Sequence, residues 1–238
     1  MIMSKGFNVH HSLEELYEQL MKRDREDAEI SRTIQRELAA EGLETFQPKR
    51  KLTIYTDEIV GADNVAKQII THISEDDRII AIEGLSGVGK GTTAHALKGE
   101  LSGLVFSFGE VFRYLTFMEN VHNDLNHEQN LSVISHRLID GALHLFRDEE
   151  NLSQKLKQHL QDPYLASQVP AVARRTQAQV IRFIQGEIIR IKNLHLEHVI
   201  ILEGRDYTLD YLPSDLRIEL CAHPMIRAKR RLGQYIDG

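Results

Sequence analysis

At 238 residues the chain holds one sizeable domain, or one domain with a small one beside it. An apolar fraction of 42% excludes disorder along the whole chain, and a net charge of −6 argues against nucleic acid as a main partner. The single cysteine, Cys221 in LRIELCAH, excludes an intrachain disulfide and reads as a buried strand residue.

No apolar run approaches the length of a membrane span, and the N-terminal MIMSKGFNVHHSLEE lacks the apolar core of a signal peptide. The expectation is a soluble, cytoplasmic protein that engages no membrane.

SLEELYEQLM opens on a capping box, Ser12 with Glu15, and places Leu13, Leu16, Tyr17, Leu20 and Met21 at helical spacing. KRDREDAEISRTIQRELAAEG continues that helix with Ile30, Ile34 and Leu38 on one face and Gly42 as its stop. TFQPKRK reads as a linker, KLTIYT as a short strand, and 63–74 as a helix with Val65, Ile69, Ile70 and Ile73 on one side. Residues 1–75 are expected to be a mainly helical N-terminal extension, packed on the main domain or on a protein partner, its charges forming a solvated face.

From 78 onward strands and helices alternate. RIIAIEG is a continuous apolar run, as expected of a strand covered on both faces. GTTAHALKGEL is a helix, GLVFSFG a second strand, 109–190 largely helical, HVIILEG a third strand and LRIELCA a fourth. A helix with the basic run RAKRR follows Pro224. This order predicts an α/β fold over 76–238, a doubly wound parallel sheet with helices on both faces and ligands beyond the carboxyl ends of the strands.

The first of those strand ends carries GLSGVGKGTT, residues 84–93. Gly84, Gly87 and Gly89 allow the backbone to turn tightly and aim its N–H groups at an anion. The following helix adds the positive end of its dipole, and Lys90 a full charge for β- and γ-phosphates. Gly91 stands where the commonest phosphate loop has a hydroxyl, with Thr92 one place later.

A glycine after the lysine and a threonine after that resemble the loop of nucleoside monophosphate kinases. Further stretches resemble the cytidylate kinase family in order and spacing. SFGEVFR, 107–113, resembles the family's acceptor-phosphate segment and carries that role to Arg113, with Ser107 beside it. Phe108 departs from the small hydroxyl residue usual there, and Glu110 matches an acid near magnesium-bound water. ASQVPAVARR, 166–175, matches Ser167 to a serine that approaches the base and leaves Arg174 near a base-contacting arginine. EGRD, 203–206, assigns Arg205 to the acceptor phosphate and Asp206 to the base side. Arg230 and Arg231 of RAKRR match arginines that reach the triphosphate.

The resemblance implies ATP-dependent phosphoryl transfer to a nucleoside monophosphate, CMP or dCMP, with Mg2+ accompanying ATP. Ser86, Val88 and the loop residues from Gly84 to Thr92 bind ATP, while Lys90, Arg113 and Arg205 act on the phosphates. It also implies an acceptor-binding insert with a small sheet at about 109–190, where GALHLFRDEENLSQKLK supplies either a hairpin around DEEN or a helix. Cytidylate kinases continue past GQYIDG with a lid, a fifth strand and a last helix. On that comparison the C-terminal lid and last strand are missing here, which leaves an open sheet edge. An alternative reading, a nucleotide-binding regulatory protein without efficient turnover, rests on Phe108 and on that missing arm.

Overall fold

Neighbouring residues of RIIAIE face opposite sides of a sheet, and both sides are covered. β2 (Ile79–Gly84) is the central strand. Ile79 and Ala81 enter one core while Ile80 and Ile82 enter the other, which is why the run is apolar throughout. A computed structural model describes residues 12–106, 108–159 and 163–237. In it β2 lies between β7 (Ile200–Gly204) and β8 (Leu216–Cys221), and β3 (Leu104–Phe106) flanks β7. Every pairing in this sheet is parallel, the doubly wound arrangement the alternating pattern predicts.

The fifth strand comes from the N-terminal segment. β1 (Arg50–Tyr55) pairs with β8 from Arg50 opposite Leu216 to Tyr55 opposite Cys221. The expected open sheet edge is not seen: β1 occupies that edge. Ile54, only 2% exposed, shares a core with Ile80 and Ile218. α2 (Ala62–Ile70) covers the same face of the sheet with Val65, Ala66 and Ile69. A strand and helix that bury this much apolar surface are held by the domain's own core.

α1 (Leu13–Ala40) begins on the predicted capping box. It ends before Gly42, whose φ of 75° suits a residue without Cβ. Its second half sends Ile34 and Leu38 into the core on the far face of the sheet. Its first half packs Leu16 and Leu20 against Ala228 of α9 (Pro224–Asp237). α3 (Lys90–Leu101) lies with α2 on one face, while α4 (Phe108–Val121), α7 (Pro163–Leu194) and the short α8 (Asp206–Leu209) build the other.

The segment between α4 and α7 contains α5 (His127–Ser132), β4 (Ile134–Ile139), β5 (Ala142–Arg147), β6 (Glu150–Asn151) and α6 (Leu152–His159). The strands form a separate antiparallel sheet. DEEN does turn a hairpin, with Arg147 opposite Glu150. The longer hairpin turns at Asp140-Gly141, both with positive φ, a signal of the Asp-Gly type.

Glu187 of α7 fastens this small sheet. It accepts from the His136 backbone N–H at 2.5 Å and from His136 Nδ1 at 3.0 Å, and pairs with Arg190 at 2.6 Å. Burial works against its charge, but the bonds from His136 and Arg190 outweigh burial and hold the carboxyl at about 2. A carboxyl lowered on folding stabilises above its unfolded pKa and loses that contribution as pH falls through its folded one. Glu187→Gln is expected to cost about 3 kcal/mol at pH 7, a difference that narrows to about 1 kcal/mol at pH 3. Urea unfolding at the two pH values measures this; a constant difference would contradict the assignment.

No helix among the described residues is long and apolar enough to cross a membrane.

Candidate active site

The turn after β2 is fixed by what surrounds it. A Cβ on Gly84, at φ 145°, would lie 2.5 Å from the Leu220 carbonyl oxygen of β8. One on Gly87, at φ 82°, would lie 3.2 Å from Arg227 Cβ. Gly89, at φ 97°, precedes the first turn of α3 and carries no capping side chain. The helix therefore presents its N-terminal amides and the positive end of its dipole beside the carboxyl ends of the strands.

Lys90 folds back over this turn, donating from Nζ to the Gly84 carbonyl at 2.8 Å and the Leu85 carbonyl at 3.1 Å. Burial and the nearby Arg205 guanidinium bring its pKa down to about 8, partly offset by Glu203. Thr92 Oγ1 is exposed and donates to the Gly89 carbonyl at 2.9 Å.

A crevice of about 490 Å³ opens at the same end of the sheet. Its floor is the end of β2, Glu83 to Leu85, and the end of β8, Glu219 to Ala222, including Cys221. Cys221 is thus half-buried at the crevice rather than buried in the strand as expected, because it is the last residue of β8. Arg205, Asp206 and Tyr207 line one side, Lys51 of β1 the other, and Asp24, Asp27, Ala28 and Ser31 of α1 form a wall.

Arg205 is 18% exposed at the side chain and pairs with Asp27 at 2.7 Å. Its Nη1 is buried and makes no hydrogen bond among the described residues. A buried guanidinium donor is costly to leave without an acceptor and suits a phosphate oxygen.

Beneath the crevice Glu83 is bonded by Arg217, itself 3% exposed at the side chain, and by Lys51 at 3.0 Å. Arg227 of α9 joins Asp24 of α1 to the Ser86 carbonyl of the loop. Arg230 donates to the Val88 carbonyl and to both oxygens of Thr56, just past β1.

The structure gathers some of the predicted residues and separates others. Gly84 to Thr92, Arg205 and Asp206 stand together at the strand ends. Arg230 braces the loop from behind and Arg231 does not line the crevice, so the expected reach of both to a triphosphate is not seen in this conformation. Arg113 is carried by α4, whose first residue, Phe108, packs near Gly204. Its guanidinium lies back over Gly109. Phe108 is 6% exposed and belongs to the core.

Glu110 Oε2 accepts from Ser153 Oγ at 2.9 Å in the insert. Ser167 is exposed and donates to the Tyr164 carbonyl, and Arg174 pairs with Glu37 at 3.7 Å; neither lines the crevice. Ser107 lies outside the described residues.

Asp24, Asp27 and Lys51 are site residues that sequence reasoning did not find. The signal was present: KRDREDAEIS places Asp24, Asp27, Ala28 and Ser31 at i, i+3, i+4 and i+7, a single helix face continuous with Leu16 and Leu20. The polarity of that face reads as solvation until the sheet end beneath it is known.

The family model described as cytidylate kinase matches residues 80–237, from the strand that leads into the loop to the end of α9. The chain belongs to the cytidylate kinase family. It is 32% identical over 162 residues to the cytidylate kinase of Mesomycoplasma hyopneumoniae strain 7448, covering 65% of this chain and 66% of that kinase. It is 29% identical over 160 residues to that of Caldicellulosiruptor bescii, 64% and 67% of the two chains. It is 30% identical over 168 residues to a probable cytidylate kinase of Vairimorpha ceranae, 66% and 72%. The chain thus spans about two thirds of the length of the curated cytidylate kinases it matches. The family match takes in the loop, Lys90, Arg113, Arg205 and Arg227, and leaves out α1, β1 and α2.

Proposed function

We propose that this protein is a nucleoside monophosphate kinase that moves the γ-phosphoryl group of ATP to a pyrimidine nucleotide, CMP or dCMP, in the cytoplasm. The observation that carries the reading is the meeting of the glycine loop with Lys90 and Arg205, one of whose buried donors has no acceptor. The loop amides and Lys90 hold the triphosphate, and Arg205, joined by Arg113, holds the acceptor's phosphate. An oxygen of that phosphate forms a bond to the γ-phosphorus as the bond to the β–γ bridging oxygen breaks, giving ADP and a nucleoside diphosphate. Such a transfer needs alignment and charge stabilisation more than covalent help, and the three cations supply both.

Mg2+ fits the oxygen-only donors beside Lys90, the Thr92 hydroxyl and the Glu203 carboxylate, and would neutralise charge on the β- and γ-phosphates. The alternative, a nucleotide-binding regulatory protein without efficient turnover, would bind ATP yet release no ADP with any monophosphate.

Release of ADP on addition of CMP, dCMP, UMP and AMP in turn tests the reaction; no acceptor-stimulated release would sink it. Arg205→Ala is expected to raise the KM for the acceptor by about 100-fold, the loss of a charge-assisted donor pair, and to change ATP affinity by less than about threefold. Equal losses for both nucleotides would remove Arg205 from the acceptor side.

A further inference from the structure

The segment shared with the relatives is smaller than the structural unit. β1, α2 and α1 lie outside residues 80–237, yet β1 is a strand of the main sheet, α2 covers it, and α1 walls the crevice. α1 is held to the matched segment by charged pairs at Asp24–Arg227 and Asp27–Arg205. The alignment with the Mesomycoplasma kinase covers nearly equal shares of both chains, 65% and 66%, so each leaves about a third unmatched. In this chain the unmatched third precedes the match.

The packing of α1 on α9 shows where that third connects in space. Leu13 and Tyr17, in the first turns of α1, pack in one cluster with Leu232 of α9. Further along α1, Asp24 meets Arg227, which comes earlier on α9. The two helices therefore run antiparallel, with the first turns of α1 beside the last turns of α9, as in two helices joined by a short loop. Between α2 and β2, residues 71–78 form an irregular, mostly exposed connection. Cutting such a surface connection and closing another between adjacent helix ends leaves the apolar core in place.

We infer that this chain is a circularly permuted kinase domain. Residues 12–75 are the counterpart of the third of the relatives that the match leaves uncovered, and there that third follows the counterpart of α9 instead of preceding β2. The inference rests on the family assignment and on packing; it does not depend on the proposed reaction.

The test is a full-length rotated chain, residues 76–238 followed by 1–75, in which residues 1–11 serve as the linker between the two helices. It is expected to melt cooperatively within about 5 °C of the original order and to bind ATP within about threefold of it. A soluble rotated chain with no cooperative transition would overturn the inference. A second measurement does not depend on folding: residues 12–75 are aligned with the unmatched third of the Mesomycoplasma kinase. Identity near that of the matched part is expected, and similarity no better than for shuffled sequence overturns the inference. If both chain orders melt alike and bind ATP but neither releases ADP with a monophosphate, the permutation stands and the proposed reaction falls.

Discussion

Replacing Lys90 by Met is expected to weaken ATP binding at least about 100-fold while making the empty protein more stable. The ammonium is held at about 8 by burial and by Arg205, well below its ordinary 10.5. That depression means the folded protein carries the charge at a cost of about 3 kcal/mol, which the methionine removes. The bonds to the Gly84 and Leu85 carbonyls are lost at the same time, at about 1 kcal/mol each, so the net gain is near 1 kcal/mol and Tm rises by about 2–4 °C.

The sign of the pH effect follows from the same shift. Between about 8 and 10.5 the unfolded chain binds a proton at this position that the folded one does not, so the penalty fades as pH rises through that window. Phosphate binding needs the charged form. ATP affinity is therefore expected to be flat below pH 8 and to fall by up to about tenfold per unit above it, a dependence Lys90→Met abolishes. Calorimetric titration of ATP from pH 6.5 to 9.5, with melts of both proteins without nucleotide, checks all parts. A variant that keeps ATP affinity removes Lys90 from the phosphate site.

Removing residues 1–75 is expected to abolish cooperative folding rather than trim an appendage. The deletion takes Ile54, Val65, Ala66 and Ile69 out of a core they share with Ile80, Ile82 and Ile218. Each large buried aliphatic side chain is worth about 1.5–3 kcal/mol, and a domain's whole stability is only about 5–15 kcal/mol. The deletion also bares the edge of β8 and strips Arg205 and Arg227 of Asp27 and Asp24. The expected readout is loss of the thermal transition by circular dichroism and loss of dispersed proton signals by NMR. A truncated chain that melts sharply near the original temperature would make the segment an appendage after all.

The sequence by itself determined the parts whose cause is local. RIIAIEG and HVIILEG read as buried strands because their apolar runs are continuous, and both become strands of the main sheet. The loop was legible because its glycines are demanded by backbone geometry, Gly84 above all, where a Cβ would strike the Leu220 carbonyl. Ser12 and Glu15 announced the start of α1 for the same reason: the bonds that cap a helix join residues a few positions apart.

What only the tertiary structure decided is which of these parts meet. KLTIYT reads as a strand in either case, but its place beside β8 depends on a partner some 160 positions away, and local periodicity carries no record of that. Asp24 and Asp27 look solvated because polarity reports exposure to water or to an ionic partner alike, and Arg227 and Arg205 are supplied by the opposite end of the chain. Phe108 departs from the family pattern in sequence, and only the packing shows that its ring is buried in the core. The bonds of Arg230 to the Val88 and Thr56 carbonyls were likewise hidden, because a basic helix face shows its charge in sequence but not the carbonyls it faces.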